Sequence, residues 1–337
     1  MENKHVGAQK GTEIQIQLTR KVSPKRPNRL KPVRRAYTAG EVIMSGLTTV
    51  QKQDIQTNIY SAAHGAIADW DNFAWHYSNR APDACVLHSS QAFCISVWGT
   101  FASPRGKVVR VVVASILQDR LLCKILEQRD SGLSLELESN QCELLNEHGQ
   151  GHPSQFDGVL RLKGLIVVIE SKLTEPLGTC SQVNQKDCSG IYGPGSDLKL
   201  NKTEFPCRLV YRDRSRTPRR YWEIMKPLSI EGAYPFGMPC PFAGGGYQVM
   251  RNIAAAAELA RTSGIEWRVI FAYPRSTGAG ADEAIELVKG KLVSEHQHRI
   301  LKLDYSVLAE RLMLSEEPTA SGLGRHLMTR LPRSVIS

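Results

Sequence analysis

Two carboxylates and a lysine stand at the ends of two short apolar runs in the middle of the chain. Asp157 opens the run Phe156–Leu160, and Glu170 and Lys172 close the run that begins at Leu165. Residues two apart on a strand share a face, so Glu170 and Lys172 should point the same way. If the two runs pair as a hairpin, Asp157 returns beside Glu170.

This set of groups suits a divalent cation and a phosphate. Mg²⁺ prefers hard oxygen ligands and takes only one or two carboxylates from the protein. Asp157 and Glu170 would be those ligands, with Mn²⁺ as a substitute metal, and Lys172 would orient a water molecule or stabilise charge on the phosphate. The competing interpretation is an ordinary surface Glu/Lys pair. The buried run before Glu170 and the acid upstream favour the metal site.

The elements that must position these residues can be predicted from apolar periodicity. In chain order we expect a helix at Ser89–Trp98, strands at Leu133–Glu138, 156–160 and 165–172, a helix at Tyr247–Thr262 closed by Gly264, and a strand at Glu266–Tyr273. Helical spacing also marks residues 40–80 and 282–313, while 108–127 is apolar enough for the core as either strand or helix. The last twenty or so residues are expected to form a frayed tail.

The pattern Asp157…Glu170-Ser171-Lys172 resembles the signature of the PD-(D/E)XK nuclease superfamily, with Phe156 in place of the proline. Similarity around Lys172–Gly178 and the following cysteines extends to an uncharacterised restriction-endonuclease-like branch. The resemblance implies an α/β fold with an αβββαβ core, in which helices flank a central mixed sheet. Residues 174–243 would then be a large loop-rich insertion.

The resemblance also implies roles for individual residues. In that superfamily the first acid and the glutamate bind Mg²⁺ and the lysine assists the water. Gln248 matches a glutamine that relatives often carry near the active site, and Arg251 should share its helix face. The first predicted helix carries no acid, whereas many relatives place a metal-binding glutamate there. Glu136 or Glu138 could substitute as an extra metal ligand, or the site holds a single metal.

The cysteines of the predicted insertion could form a structural metal site. Cys180, Cys188, Cys207 and Cys240 would hold zinc or an iron–sulfur cluster, but their spacing lacks paired Cys-x-x-Cys motifs. Unrelated buried thiols are the competing interpretation.

Basic charge points to a polyanionic partner. The chain has 43 Lys and Arg against 33 Asp and Glu, a formal charge of +10, and a pI near 9.2. Part of this charge lies in residues 1–36, which resemble a flexible basic arm. Further predicted DNA contacts are arginines of the insertion and of the helix after it, namely Arg212, Arg214, Arg216, Arg219, Arg220 and Arg251.

Together these observations predict a metal-dependent nuclease that hydrolyses DNA, in the manner of a restriction-type endonuclease. The predicted organisation is an arm at 1–36, a nuclease-like domain at 37–313 and a tail at 314–337. A homodimer is compatible with the sequence, and the lack of an apolar span or signal peptide favours the cytoplasm. Two alternatives stay open: a catalytically silent nucleic-acid-binding protein on the same fold, and a sugar or nucleotide enzyme on another α/β fold.

Overall fold

The structure is a computed structural model that describes residues 47–78, 81–128, 130–140, 143–147, 154–180, 190, 219–234 and 238–332. Its α-helices are α1 (Thr49–Asn58), α2 (Ser90–Ala102), α3 (Lys107–Leu117), α4 (Arg120–Leu126), α5 (Tyr221–Leu228), α6 (Gly246–Ser263), α7 (Ala279–Lys289), α8 (Ser294–Gln297), α9 (Tyr305–Met313) and α10 (Pro318–Met328). Its strands are β1 (Tyr77–Ser78), β2 (Ala81–Pro82), β3 (Ser134–Asn140), β4 (Gln155–Leu162), β5 (Leu165–Ser171), β6 (Glu266–Tyr273) and β7 (Ile300–Asp304).

A five-stranded mixed sheet in the order β3-β4-β5-β6-β7 forms the centre of the fold. The pairs β3–β4 and β4–β5 are antiparallel, and β5–β6 and β6–β7 are parallel. Every residue of β5 is buried, which explains its continuous apolar run. The order α2, β3, β4, β5, α6, β6 confirms the predicted αβββαβ core.

Helices cover both faces of the sheet, so successive side chains of β5 pack into two different core clusters. Ile166 and Val168 pack in a cluster with residues of α5, α6 and α7. Val167 and Ile169 pack in a second cluster with residues of α2, α3, α9 and α10. The end of β5 therefore lies between two helical layers, and Glu170 and Ser171 face opposite ones.

The predicted start of α2 and both predicted ends of α6 agree with the structure, whereas α2 continues to Ala102, four residues beyond its predicted end. The side chain of Ser89 accepts a hydrogen bond from Ala92 N and caps α2, as its sequence position predicts. Gly264 ends α6 with a φ of 65°, a left-handed conformation that glycine adopts without strain.

The predicted frayed tail is wrong for residues 318–328, which form α10. Glu317 caps this helix by accepting hydrogen bonds from two backbone N–H groups, and Pro318 occupies its first turn. Leu323 and Leu327 are fully buried. Ala320, Leu323 and Leu327 thus belong to the core cluster that supports the sheet.

Two other helical predictions need correction. Residues 282–313 include a strand, β7, between the helices, because Ile300–Asp304 extends the sheet beside β6. Within residues 40–80, α1 ends at Asn58 and a 3₁₀ helix follows at Ser61–Ala66. Residues 108–127, for which the sequence allows either a strand or a helix, form most of α3 and α4.

Parts of the predicted organisation lie outside the described residues. These are the basic arm at 1–36 and most of the insertion at 174–243, so the division into arm, domain and insertion stays a prediction. In the part of the chain that the structure describes, no helix combines the length and apolarity needed to cross a membrane.

Candidate active site

Asp157 and Glu170 lie side by side where β4 and β5 pair. Gly158 and Ile169 are the last paired residues of this antiparallel ladder, so Asp157 and Glu170 occupy the next positions on the two strands. Lys172 follows on the same side as Glu170, and its Nζ atom lies 2.7 Å from Glu170 Oε1. The structure therefore brings together the acid, the glutamate and the lysine that the sequence singled out.

Three side chains donate hydrogen bonds to the Glu170 carboxylate, which is only 2% exposed. Lys172 Nζ and Gln248 Nε2, at 2.6 Å, donate to Oε1, and Asn252 Nδ2 donates to Oε2 at 2.9 Å. A carboxylate has about four acceptor sites, so these donors leave capacity for one more ligand. Glu170 is thus held rigidly without being saturated.

Asn252 is a site residue that the sequence analysis missed. It follows Gln248 by four positions on α6 and is 2% exposed, so both side chains reach β5 from one helix face. Arg251, the predicted partner at three positions, turns elsewhere. Its Nε donates to Ser154 Oγ at 2.8 Å, and its guanidinium lies 5.2 Å from the centre of the Tyr247 ring.

Replacing Asn252 with leucine should destabilise the metal-free protein by about 1–3 kcal/mol, because one buried oxygen of Glu170 loses its donor. Urea unfolding in EDTA measures this free energy. The matched control is the same substitution in a Glu170→Ala background, where the acceptor no longer exists and the cost should be much smaller. Equal costs in the two backgrounds would show that the bond to Glu170 contributes nothing.

Gln248 also connects the catalytic strand to the loop that follows it. While its Nε2 donates to Glu170, its Oε1 accepts a hydrogen bond from Gly178 N at 2.5 Å. A side chain at position 178 would meet Gln248 Oε1 at 3.2 Å, so the close approach favours glycine. The position of Gln248 therefore depends on both the strand and the loop.

The acidic pair carries negative charge that the protein only partly compensates. Burial raises the pKa of Asp157 well above its ordinary value, and the nearby charge of Glu170 raises it further. The charge of Lys172 and a hydrogen bond from Ser171 N to Asp157 Oδ2, at 2.6 Å, lower it in part. The ionised form of Asp157 is therefore unfavourable in the metal-free fold.

Lys172 remains a cation in this setting. Burial lowers its pKa, but the charges of Glu170 and Asp157 outweigh that effect, so the pKa of Lys172 is raised overall. A lysine with a raised pKa donates hydrogen bonds at neutral pH and cannot serve as a general base. Its chemistry is to orient a nucleophile or to stabilise negative charge.

Glu138 is a third acid at the same level of the sheet. It lies on β3 between the residues that pair with Gly158 and Phe156 of β4, adopts a left-handed φ of 52°, and its side chain is 3% exposed. Gln91 Nε2 donates to Oε1 at 2.7 Å, while Gln155 Nε2 and His76 Nε2 lie 2.9 and 3.0 Å from Oε2. Gln91 and His76 had no distinctive sequence signal. That Glu138 is an extra metal ligand stays a prediction.

The alternative acid, Glu136, is held differently. Its Oε1 accepts a hydrogen bond from Ser139 Oγ at 2.7 Å, its Oε2 lies 3.7 Å from Arg161, and its side chain is 48% exposed. Glu138 is therefore the more buried of the two acids, and its charge also raises the pKa of Asp157.

The donor set fits a hard divalent cation. Asp157 and Glu170 are adjacent, Glu170 retains acceptor capacity, and an added positive charge would relieve the unfavourable ionisation of Asp157. Among the described residues, no group of three or more His, Cys, Asp and Glu side chains could hold a metal ion. Two carboxylates suit Mg²⁺, which usually keeps several water ligands.

Arg220 serves a structural role away from this site. Its Nη1 atom lies 2.7 Å from Glu258 Oε1, and its Nη2 lies 2.6 Å from Glu223 Oε1. Glu258 follows Gln248 by ten residues on α6, which is about 15 Å along the helix axis. Arg219, which precedes Arg220 in the sequence, is buried. That either arginine contacts DNA stays a prediction.

Several predicted residues lie outside the described ranges, namely Arg212, Arg214, Arg216, Cys188 and Cys207. Of the other two predicted cysteine ligands, Cys180 is buried and Cys240 is partly buried, and both are free of disulfides. A structural zinc or iron–sulfur site stays a prediction.

Comparison with known proteins adds a family assignment. One family model, described as Restriction Endonuclease associating with ARP, matches residues 53–328. This range includes every residue of the site described above. No curated protein and no solved structure matches the chain.

Proposed function

Because the chain belongs to the restriction-endonuclease-like family described as Restriction Endonuclease associating with ARP, we propose that it is a nuclease that hydrolyses DNA phosphodiester bonds with a divalent cation. The observation that carries this proposal is the convergence of Asp157, Glu170 and Lys172 at the end of two paired strands. Two acids can hold a metal ion that activates water, and a fixed cation can stabilise the negative charge that develops on the phosphate.

Asp157 and Glu170 would hold Mg²⁺, or Mn²⁺ in its place. When bound, the cation supplies positive charge that polarises a phosphoryl oxygen and lowers the pKa of a water molecule. Glu170 is already oriented for this role, since Gln248 and Asn252 hold its two oxygens from α6.

Lys172 acts on the reacting phosphate. Water attacks phosphorus as the bond from phosphorus to the leaving oxygen breaks; the attacking water loses one proton to the surrounding solvent, and the leaving oxygen takes one up from it. Lys172 Nζ can donate to the attacking water or to a phosphoryl oxygen while it keeps its contact with Glu170. Because the lysine stays protonated, it stabilises the negative charge that develops during this step.

DNA is the proposed partner because the chain carries a formal charge of +10. A polyanionic backbone would bind with an affinity that falls steeply as salt concentration rises. Action as a cytoplasmic homodimer is part of the same proposal, since many paired cuts in DNA need two copies of a site.

The decisive experiment incubates the purified chain with supercoiled plasmid, linear DNA and RNA of matched length, in Mg²⁺, Mn²⁺ or EDTA. We expect cleavage of DNA with either metal and none in EDTA. The Glu170→Ala variant, purified identically, controls for contaminating nucleases and should be inactive. Salt-dependent DNA binding without cleavage in any metal would overturn the proposal and favour a silent binding protein.

A further inference from the structure

The residue between Glu170 and Lys172 faces the opposite helical layer. Ser171 is 1% exposed, and its Oγ atom lies 2.5 Å from the hydroxyl of Tyr305, the first residue of α9. Its backbone N–H donates to Asp157 Oδ2 at 2.6 Å. One residue therefore contacts the catalytic acid on one side and a buried tyrosine on the other.

Tyr305 is rigidly placed. It is fully buried, and its ring lies 4.6 Å from the ring of Phe93 on α2. The preceding residue, Asp304, ends β7 and caps α9 through a hydrogen bond from Ser306 N at 2.8 Å. The phenol hydroxyl is thus fixed by a strand end, a helix start and a packed ring.

From this geometry we infer that Tyr305 is a positioning residue of the nuclease: through Ser171 it fixes the backbone N–H that orients Asp157 toward a bound cation. The inference rests on the proposed function. Glu170 is oriented by side chains of α6, whereas Asp157 has this backbone donor from the residue that Tyr305 holds. The two acids are therefore set from opposite layers of the fold.

The hydrogen bond between the Ser171 and Tyr305 side chains matters because Ser171, whose N–H contacts Asp157, is the last residue of β5. Beyond it, Lys172 N donates to Ala272 O at 2.9 Å, which ties the end of β5 to the neighbouring parallel strand β6. Freeing the Ser171 side chain leaves the peptide anchored from that side alone. Loss of partners that orient metal ligands typically costs about 10- to 100-fold in metal affinity or activity.

The test compares Tyr305→Phe and Ser171→Ala with Tyr273→Phe. Tyr273 ends the adjacent strand β6, and its hydroxyl donates to Asp282 at 2.9 Å, so the control removes a similar hydroxyl whose hydrogen bond is not to Ser171. The readouts are the Mg²⁺ concentration for half-maximal plasmid cleavage and the Mg²⁺ concentration that half-maximally raises the thermal unfolding midpoint.

We expect both site variants to need about tenfold more Mg²⁺ or higher, and the double variant to need no more than either one. Tyr273→Phe should keep the wild-type Mg²⁺ requirement. Ser171→Ala, a small change, answers the question if Tyr305→Phe does not fold.

Each outcome separates this inference from the proposed function. Wild-type Mg²⁺ requirements in both site variants would overturn the inference while leaving the nuclease proposal intact. If the wild type gains stability from Mg²⁺ but does not cleave, the nuclease proposal fails and the stability midpoint alone judges Tyr305. A wild type that neither cleaves nor responds to Mg²⁺ overturns both.

Discussion

Replacing Lys172 with methionine should slow DNA cleavage by about two to three orders of magnitude. Methionine keeps the apolar length of the side chain but removes the ammonium that lies 2.7 Å from Glu170. Because the lysine is protonated and sits beside the acidic pair, its loss removes a positive charge that can stabilise the reacting phosphate. DNA affinity should change little, so the effect should fall on kcat rather than on KM.

The same substitution should weaken the metal-free fold. Glu170, 2% exposed, would keep only the neutral amides of Gln248 and Asn252, and an uncompensated buried charge costs about 3–5 kcal/mol. Lys172→Arg keeps the positive charge and should fold, but its planar group cannot reproduce the point contact, so activity should still be low.

Lys163→Met is the matched control. Lys163 is exposed in the turn at the other end of the β4–β5 hairpin. Single-turnover cleavage rates of these variants, measured well below their unfolding temperatures, separate chemistry from stability. Near-wild-type rates for Lys172→Met would remove this residue from the mechanism.

Asp157→Asn should abolish metal-dependent cleavage and at the same time stabilise the metal-free protein at neutral pH. Burial and the charge of Glu170 raise the pKa of Asp157, so its ionised form costs folding free energy. Asparagine keeps an oxygen that can accept the Ser171 N–H bond but carries no charge. We expect the thermal midpoint in EDTA to rise by several degrees.

The stabilisation expected from Asp157→Asn should depend on pH in a definite direction. A raised pKa means that the fold favours the neutral carboxyl of Asp157. The stability contributed by this neutral carboxyl is therefore complete below about pH 3.9, the ordinary pKa of aspartate, and is lost as pH rises toward the raised pKa of the folded protein. The advantage of Asp157→Asn should therefore be absent in acid and grow toward neutral pH. Thermal unfolding in EDTA across this range measures it.

Asp282→Asn provides a control of opposite sign. Burial raises the pKa of Asp282, but hydrogen bonds from Lys302 and Tyr273 lower it overall. Its charged form thus stabilises the fold, and asparagine should lower the thermal midpoint at neutral pH. A stabilising effect limited to Asp157→Asn would show that the protein keeps this carboxyl group at a cost in stability.

The convergence of Asp157, Glu170 and Lys172 was predictable because it depends on local geometry. Alternation along a strand places Glu170 and Lys172 on one face, and a short turn with Gly164 returns Asp157 beside them. These relations need no knowledge of distant residues. The uninterrupted apolar run of β5 likewise predicted burial on both faces.

Contacts between distant elements were beyond the sequence. Asn252 is one polar residue in a helix rich in alanine, and only the packing of α6 on β5 shows that it meets Glu170. Strand β7 has five residues between helical patterns and is defined by pairing with β6. In contrast, the start of α10 carried a readable signal, since Glu317 before Pro318 is a typical helix beginning.

The tether between Gln248 and Gly178 has a consequence for changes in chain length. The chain leaves the catalytic strand firmly attached: Gly178 is tied to α6, and Cys180 N donates to Ala243 O at 3.3 Å. It is fixed again where Arg220 N donates to Leu145 O at 3.1 Å, just before α5. We therefore expect insertions or deletions between residues 180 and 220 to leave Asp157 and Glu170 in place, because each end of this stretch is anchored independently.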